Sequence, residues 1–368
     1  MPAFIPGLKL SRLFYETEVK PILDQTFPRL RHSAALIGWG SEVLGFDTRI
    51  SRDHHWGPRV LLFLSERDSP KWRDKVSEVL SNELPYSFKG YSTNFSKPEP
   101  NGVRHPVRIT RGPVNPMINI YTVRSLFKSR LGFDLKRRIT TADWLSFPQQ
   151  RLLELTSGEV YYDGLGQLVK ARQRFEYYPR DIWLYVMAAQ WTRISQEEAF
   201  VGRAGHVGDE LGSQIVAARL VREIIKLSFL LERTYAPYSK WLGSAFTRLT
   251  IGRNLNPILR GVLLAKTWKT REKWLSEAYS LVAESHNALK ITKPLSTKTS
   301  DYYHRPYSVI FAERFAKAIK QQIKDPAVKK IATDIGAIDQ FTDSTNVVED
   351  LKLIQRMRRV WSKPTKTT

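Results

Sequence analysis

Apolar residues in the first half of the chain follow two spacings, one typical of helices and one typical of buried strands. Helical spacing, with a serine cap signal at Ser69, predicts helices over residues 8–26, 69–84, 124–132 and 141–155. Short continuous apolar runs predict three strands over residues 34–39, 59–64 and 118–123. The segment 85–116 is rich in Pro, Gly, Ser and Asn, which predicts a long loop.

Helical spacing then continues with little interruption from Arg180 to Lys290. The segment 211–231 is apolar nearly all round, which is typical of a helix buried at the centre of a bundle. Further helices are predicted over residues 267–288, 307–323 and 345–361. The pattern predicts an α+β fold, with a mixed sheet and helices in residues 1–175 and a helical bundle in residues 176–368.

Basic residues greatly outnumber acidic ones in this chain of 368 residues. Lys and Arg total 58 and Asp and Glu total 36, which leaves a net charge of +22. Most of the excess lies in residues 101–150, 251–300 and 351–368. This balance favours an anionic partner, such as nucleotide phosphates, RNA, DNA or an acidic surface, although solubility alone is an alternative explanation. The chain contains no cysteine, which excludes disulfides, thiolate zinc sites and a cysteine nucleophile.

Two features bear on the location of the protein. The first residues lack the basic-then-apolar pattern of a secretory signal peptide. No run of about 18 apolar residues, the length that spans a bilayer, occurs in the chain. We therefore expect a cytoplasmic protein with no membrane partner.

Candidate chemistry is concentrated between the first and second predicted strands. Gly40 and Ser41 follow the first strand, and such a turn lets backbone N–H groups approach a triphosphate closely. Asp53 follows Ser41 after eleven intervening residues, and His55 comes two residues after Asp53. If Asp53 and His55 lie on a strand, their side chains point to one face and can share a divalent metal ion. An ordinary turn is the alternative interpretation of the Gly-Ser pair.

This segment resembles the signature of the DNA polymerase β-type nucleotidyltransferase superfamily, which is a Gly-Ser turn followed by Asp-x-Asp on a strand. Nearly the whole chain also resembles a family known as domain of unknown function 4037. The matching segments are GSEVLGFDTRISRDHHWGPR at 40–59, FVGRAGHVGDELGS at 200–213, ERTYAPYSKWLGSAF at 232–246 and IGAIDQFTDST at 335–345. The resemblance implies a nucleotidyltransferase-like first domain followed by a helical, substrate-binding-like domain.

The resemblance and the residue chemistry together predict three groups of site residues. The predicted catalytic residues are Asp53, His55, Asp209 and Glu210. The predicted nucleotide contacts are Gly40, Ser41, Glu42, Arg59, Arg203, Ser213, Tyr235, Lys240 and Trp241. The predicted metal ligands are Asp53, His55 and Asn119. His55 and Asn119 stand where the superfamily has carboxylates, and Mg²⁺ prefers hard oxygen ligands.

The two motifs in the helical half each have a second interpretation. The glycines of residues 200–213 lie beside ionisable residues, which indicates either close packing or a site. Asp209 and Glu210 can act on an acceptor hydroxyl, or they can simply complement the dipole at the start of a helix. In residues 232–246, Lys240 can contact a phosphate and Trp241 or a tyrosine can stack on a base. The alternative is packing between the two predicted domains.

The leading functional hypothesis is a nucleotidyltransferase. A nucleoside triphosphate would bind at Gly40 and Ser41 with Mg²⁺ on Asp53, and an acceptor hydroxyl or amine between the domains would attack the α-phosphate. The acceptor can be a small molecule, a protein side chain or an RNA end. A catalytically degraded module that binds nucleotide or nucleic acid is the alternative. An interaction protein that binds no nucleotide is a third possibility.

Overall fold

A computed structural model describes residues 3–51, 55–100, 102–331 and 333–362 of the chain. The chain divides into two compact units. The first unit comprises Met1–Arg138 and Arg151–Glu176, and the second comprises Ile139–Gln150 and Tyr177–Thr368. The second unit thus includes a short stretch, residues 139–150, from within the predicted first domain.

Six strands belong to the described residues of the first unit. They are β1 (His32–Leu36), β2 (Arg59–Leu64), β3 (Ser87–Phe88), β4 (Tyr91–Ser92), β5 (Met117–Tyr121) and β6 (Glu159–Asp163). Four of them form a mixed sheet in the order β5-β2-β1-β6, in which β1 is antiparallel to β2 and β6, and β2 is parallel to β5. Every residue of β1 and β2 is buried, as expected for strands predicted from continuous apolar runs.

Helices flank these strands in the sequence. They are α1 (Gly7–Phe14), α2 (Lys20–Thr26), α3 (Ser69–Glu83), α4 (Val123–Leu131), α5 (Thr141–Ser146), α6 (Gln149–Thr156) and α7 (Leu168–Gln173), with a π-helical turn at Tyr15–Val19 between α1 and α2. The predicted single helix over 141–155 is wrong, because Phe147 is extended and separates α5 from α6. The cause is Pro148, which disfavours helical backbone at the residue before it.

One face of the sheet packs against the first helices and α3. Phe14 of α1 and Val76 of α3 belong to a buried cluster with Val60 and Leu62 of β2. The side chains of alternate strand residues point to one face, so these two β2 residues share the cluster. This packing holds the strand ends that flank the Gly40–Ser41 turn.

The second unit is largely helical. Its further helices are α8 (Arg180–Glu197), α9 (Phe200–His206), α10 (Glu210–Leu231), α11 (Ser239–Phe246), α12 (Thr250–Leu264), α13 (Trp268–Ala288), α14 (Glu313–Lys320), α15 (Pro326–Lys329), α16 (Ile338–Phe341), α17 (Thr345–Glu349) and α18 (Leu351–Met357), with a 3-10 turn at Arg358–Trp361. An antiparallel hairpin of β7 (Ser300–Tyr302) and β8 (Arg305–Val309) accompanies them. These elements confirm the α+β class predicted from the sequence.

Two helices predicted near the end of the chain are interrupted. The predicted helix 307–323 is wrong over its first turn, where the chain continues β8 and Phe311 has a left-handed φ of +51°. The buried Glu198 carboxylate fixes this segment by accepting the backbone N–H groups of Ile310 at 2.8 Å and Ala312 at 3.0 Å. The predicted helix 345–361 breaks at Asp350, whose carboxylate caps the start of α18.

Helix α10 contacts α8, α9, α12 and α13, as a central helix should. Its C-terminal half is buried, but Leu211 and Ile215 near its start are 68% and 55% exposed. Complete burial of this apolar helix was therefore a wrong prediction for its first two turns. Within the described part of the chain, no helix combines the length and apolarity needed to span a membrane.

Candidate functional site

The chain turns sharply after β1, where the sequence predicts phosphate contacts. Gly38 and Gly40 have φ values of +93° and +124°, which residues with a side chain rarely adopt. The Gly38 N–H donates to the Glu154 carbonyl at 2.8 Å, and the Ser41 hydroxyl donates to the Ser51 carbonyl at 3.0 Å. The turn is therefore held at both ends by hydrogen bonds.

A buried ion pair packs against this turn. The Arg59 guanidinium lies 2.7 Å from the Glu42 carboxylate, and both side chains are 3% exposed. Arg59 also donates to the Trp39 carbonyl at 2.6 Å. Burial raises the pKa of Glu42, and the nearby Arg59 charge opposes that rise. The two charged groups thus face each other and hold the turn, and their predicted contact with a nucleotide stays a prediction.

Arg130, on α4, is a cation beside the turn that the sequence analysis did not single out. Its guanidinium carbon lies 3.9 Å from the centre of the Trp39 ring. Its Nε is buried and has no hydrogen-bond partner within the described part of the chain. Burial lowers the pKa of Arg130 to about 10. The basic excess of residues 101–150 was the signal available in the sequence, but spacing alone cannot choose among nine basic side chains.

Two of the three predicted metal ligands, His55 and Asn119, lie among the described residues. Asp53 lies outside these residues. His55 has a left-handed φ of +55°, and β2 begins only at Arg59. The expectation that His55 lies on a strand is therefore wrong, because its backbone is not extended. Asn119 lies on β5 in register with Leu61.

The donor chemistry also departs from a two-ion magnesium site. His55 offers an imidazole nitrogen and Asn119 a neutral amide oxygen, whereas Mg²⁺ favours charged oxygen ligands. Over the described residues, no group of three or more His, Asp and Glu side chains is arranged to hold a metal ion. His55 and Asn119 thus do not supply the two carboxylates that the resemblance implies at these positions.

In the second unit, the predicted catalytic acids stabilise the start of α10. Asp209 is the N-cap, and its carboxylate accepts the Gly212 N–H at 2.7 Å. Glu210 forms a 2.5 Å ion pair with Arg271, a side chain that is 1% exposed. Arg271 also donates to the Ser213 hydroxyl at 2.8 Å. These contacts match the alternative interpretation of a helix terminus, and the catalytic role of the two acids stays a prediction.

The glycines of this motif allow α9 to pack closely. A Cβ on Gly202 would lie 2.6 Å from the Tyr307 ring, and a Cβ on Gly205 would overlap Trp268. Arg203, between them in sequence, is exposed and lines an open groove of about 590 Å³. Close packing therefore explains Gly202 and Gly205, while Arg203 remains accessible.

The three residues predicted from the 232–246 motif lie in different surroundings. Tyr235 is 3% exposed and its ring centre lies 5.0 Å from that of Tyr177. Burial raises the pKa of Tyr235 well above its usual value. Lys240 is exposed near the start of α11, with its Nζ 5.1 Å from the Trp241 ring centre. Tyr235 is therefore enclosed in an aromatic cluster, and Lys240 is open to solvent.

Two of the motifs that resemble the family meet at a small cavity of about 60 Å³ in the second unit. Tyr238 and Ser239 come from the segment 232–246, and Asp339 and Thr342 come from the segment 335–345. Helix α10 contributes Lys226 to the lining. The motifs thus meet in space although about a hundred residues separate them.

Asp339 and Lys226 are the titratable groups of this cavity whose pKa values burial displaces. The Asp339 carboxylate accepts the Gln149 N–H at 2.8 Å, and Lys226 donates to the Asp339 carbonyl at 2.9 Å. Burial raises the pKa of Asp339 to about 6 and lowers the pKa of Lys226. Perturbed groups in a cavity are typical of functional sites, but buried structural networks show them as well.

Comparison with known proteins gives three findings. Residues 144–242 match the family described as Domain of unknown function (DUF4037). No curated protein matches the chain significantly. A solved structure, the nucleotidyltransferase-like protein from Exiguobacterium sibiricum 255-15, has a TM-score of 0.27 and 11% sequence identity over 80% of this chain and 82% of that chain. Through residues 144–242 the chain is thus similar to the domain of unknown function 4037 family, which confirms the resemblance seen in its sequence over that part of the chain.

Proposed function

We propose that the first unit binds the phosphates of a nucleoside triphosphate at the turn of residues 38–41 and transfers a nucleoside monophosphate to a hydroxyl or amine acceptor, with release of pyrophosphate. The observation that carries this proposal is Arg130, whose guanidinium lies against Trp39 beside the glycine turn. A cation next to a glycine turn suits a phosphate chain, because glycine permits close approach of the backbone and the guanidinium offsets negative charge.

Arg130 is prepared for such a contact in two ways. Stacking on Trp39 restrains the planar guanidinium, so less side-chain freedom is lost when a ligand binds. The partly desolvated charge interacts strongly with an anion, because charges attract each other more in a low dielectric. The buried Glu42–Arg59 pair also packs against the turn, since a Cβ on Gly40 would overlap the Arg59 guanidinium and lie 2.5 Å from the Glu42 carboxylate.

Asp53 is the proposed carboxylate ligand for Mg²⁺, since it holds the signature position. A bound ion would offset phosphate charge, which is its usual contribution in phosphoryl transfer. The nucleotide contacts predicted for Lys240 and Trp241 stay a separate prediction for the second unit. The acceptor class stays open among small molecules, protein side chains and RNA ends, and a triphosphate substrate suits the predicted cytoplasmic location.

A nucleotide-binding module without catalysis is the second candidate. The left-handed backbone of His55 and the neutral side chain of Asn119 favour it, because both positions depart from the carboxylates of the superfamily signature. The two candidates share the phosphate contacts at the turn. They differ only in whether the α-phosphate is transferred.

Binding is tested by calorimetric titration of the full chain with ATP, GTP, CTP and UTP, with and without Mg²⁺. Replacing Arg130 by Ala should weaken triphosphate binding at least about tenfold, which is typical of a lost charge-assisted contact. Arg73→Ala is the matched control, because Arg73 is an exposed arginine on α3 of the same unit. Equal losses in the two variants would mean that the effect is bulk charge and not a site.

Transfer is tested with nucleotides labelled at the α-phosphate. If the protein labels itself or an added acceptor, Asp53→Ala should retain less than about a tenth of the rate, as expected for a lost metal ligand. A variant that keeps more activity would exclude Asp53 as a ligand. Saturable binding without any label transfer, across small-molecule, protein and RNA acceptors, would favour the binding module.

A further inference from the structure

The second unit contains an open groove, separate from the turn proposed to bind triphosphate. Helix α9, the start of α10 and strand β8 line it, and its volume is about 590 Å³. Sites for small molecules in proteins typically have volumes of about 300–1,000 Å³. The groove is therefore large enough for a ligand of roughly nucleotide or drug size.

The charged groups of the groove are predominantly basic. Arg203 of α9 and Arg305 of β8 line it, and both are exposed. Over the described residues, neither arginine lies in an ion pair with a carboxylate. Asp209 is the one acidic residue of the lining, and its carboxylate already accepts the Gly212 N–H as the cap of α10. Two guanidinium groups thus remain available to an anion.

The apolar surface here is unusually exposed. Phe200 and Val207 line the groove and are 42% and 79% exposed. Leu211 and Ile215, one turn apart on α10, add side chains that are 68% and 55% exposed. Their sequence neighbours Gly212 and Val216 line the groove, so the exposed pair lies close to it. Exposed apolar side chains grouped in this way are typical of binding surfaces.

The orientation of α9 is fixed by its packing. The close contacts of Gly202 with Tyr307 and of Gly205 with Trp268 leave no room for another side chain on that face. Helical geometry then directs Phe200 and Arg203, which are three residues apart, to one neighbouring face. The Arg203 guanidinium lies 5.6 Å from the Phe200 ring centre, so charge and apolar surface are adjacent.

We propose that this groove binds a small amphiphilic anion, a ligand that joins one phosphate, sulfonate or carboxylate group to an aromatic or aliphatic body. Arg203 and Arg305 bind the anionic group through charge-assisted hydrogen bonds. Phe200 and Val207 contact the body, which covers apolar surface that is otherwise in water. Neither the anionic group nor the body is sufficient for binding alone, because the arginines are solvated and the apolar area is modest.

The probe for this site is 8-anilinonaphthalene-1-sulfonate, an aromatic sulfonate whose fluorescence rises when it leaves water. Titration of the full chain should show saturable binding. Arg203→Ala and Arg305→Ala should each weaken it at least about fivefold, as expected for loss of one charge-assisted contact. Arg260→Ala is the matched control, because Arg260 is an exposed arginine on α12. It should leave the affinity unchanged.

A second pair of variants tests whether the apolar side chains of the groove contact the ligand. Val207→Ser should weaken binding of the probe, whereas Leu263→Ser, at an exposed position of 56% on α12, should not. Phenyl phosphate tests a ligand with an aromatic body, and decanoate tests one with an aliphatic body. Displacement of the probe by either compound supports the site and identifies the kind of body that it prefers. Inorganic phosphate at the same concentration should displace little probe.

Several results would overturn the proposal. It fails if binding of the probe is not saturable, or if Arg260→Ala weakens binding as much as Arg203→Ala does. It also fails if inorganic phosphate displaces the probe as well as phenyl phosphate does, because the body would then contribute nothing. Loss of probe binding in Arg130→Ala would assign the probe to the first unit, and the groove would then have no ligand.

Discussion

Gly40 lies where the chain turns between β1 and the Glu42–Arg59 ion pair. A side chain there would overlap both charged groups, and the backbone φ of +124° would be strained as well. The ion pair is fully enclosed, so loss of one partner would leave an uncompensated charge that costs about 3–5 kcal/mol. Single residues in this turn thus combine a conformational requirement with an electrostatic one.

Replacing Gly40 by Ala is expected to destabilise the protein by about 1–3 kcal/mol, because strain and steric overlap act together. The measurement is the change in melting temperature by scanning calorimetry. Gly112→Ala provides the control, since Gly112 also has a positive φ, +79°, but has nothing within 4 Å of an added Cβ. If both variants lose the same stability, overlap with the ion pair contributes nothing.

At the scale of elements, the start of α10 depends on side chains that the sequence proposed for catalysis. Asp209 caps the helix, and Arg271 from α13 links Glu210 and Ser213 to the Ala265 carbonyl. These bonds satisfy polar groups at the end of a helix and the buried guanidinium of Arg271. The motif therefore has a structural explanation before any catalytic one.

Substitution of Asp209 separates these two explanations. Asp209→Ala should lower the free energy of unfolding by about 0.5–2 kcal/mol, the usual cost of a lost N-cap. Asp209→Asn should restore most of this loss, because asparagine caps helices about as well as aspartate. Chemical denaturation measures both variants. An asparagine variant that is as unstable as the alanine variant would contradict the capping role.

At the scale of the whole molecule, burial shifts the pKa values of several groups in the second unit, so the number of protons bound by the folded protein differs from that of the unfolded chain. Burial raises the pKa of Glu198 and Glu272 to about 7 and that of Asp339 to about 6. Burial also lowers the pKa of His286 to about 4. A raised carboxyl pKa makes stability fall as the pH rises, whereas a lowered histidine pKa makes stability rise with pH. The pH profile of the protein is a sum of such contributions, so a single group is best measured as a difference between variants.

Asp339→Asn isolates one contribution. Aspartate in an unfolded chain has a pKa near about 4, so between roughly pH 4 and 6 the folded protein binds the Asp339 proton more tightly. That contribution to stability is complete at low pH and is lost as the pH rises through about 6. The melting temperature of the variant relative to the native protein should therefore rise with pH across this range. A constant difference would contradict the raised pKa.

The net charge of +22 requires a control for any nucleotide-binding result. Lys240→Glu is expected to weaken nucleotide binding, because Lys240 is an exposed cation beside Trp241 and a predicted phosphate contact. Lys366→Glu makes the same change of charge in the C-terminal segment and should have little effect. Calorimetric titration at fixed salt compares them, since bulk electrostatics depend on ionic strength. Equal effects would show that total charge, not a local contact, governs binding.

Local pattern was sufficient to predict many elements of the fold. The apolar runs predicted β1 and β2, and the described residues of the predicted loop at 85–116 include only the short strands β3 and β4. Turn chemistry located the turn at Gly40 and Ser41, although β1 ends at Leu36 and not at residue 39 as predicted. These features depend on neighbouring residues, so their signal is present in short stretches of sequence.

The partners of the charged residues were decided only by the tertiary structure. Arg59 was predicted to contact nucleotide, yet it pairs with Glu42, while Arg130 reaches Trp39 from about ninety residues away. Glu198 bends the chain at Ile310 and Ala312 across a separation of more than a hundred residues. Burial and ion pairing depend on which distant segments meet when the chain folds, and no local spacing contains that information. The sequence by itself therefore determined the strands, helices and candidate turn, and the tertiary structure decided which side chains remain available to a ligand.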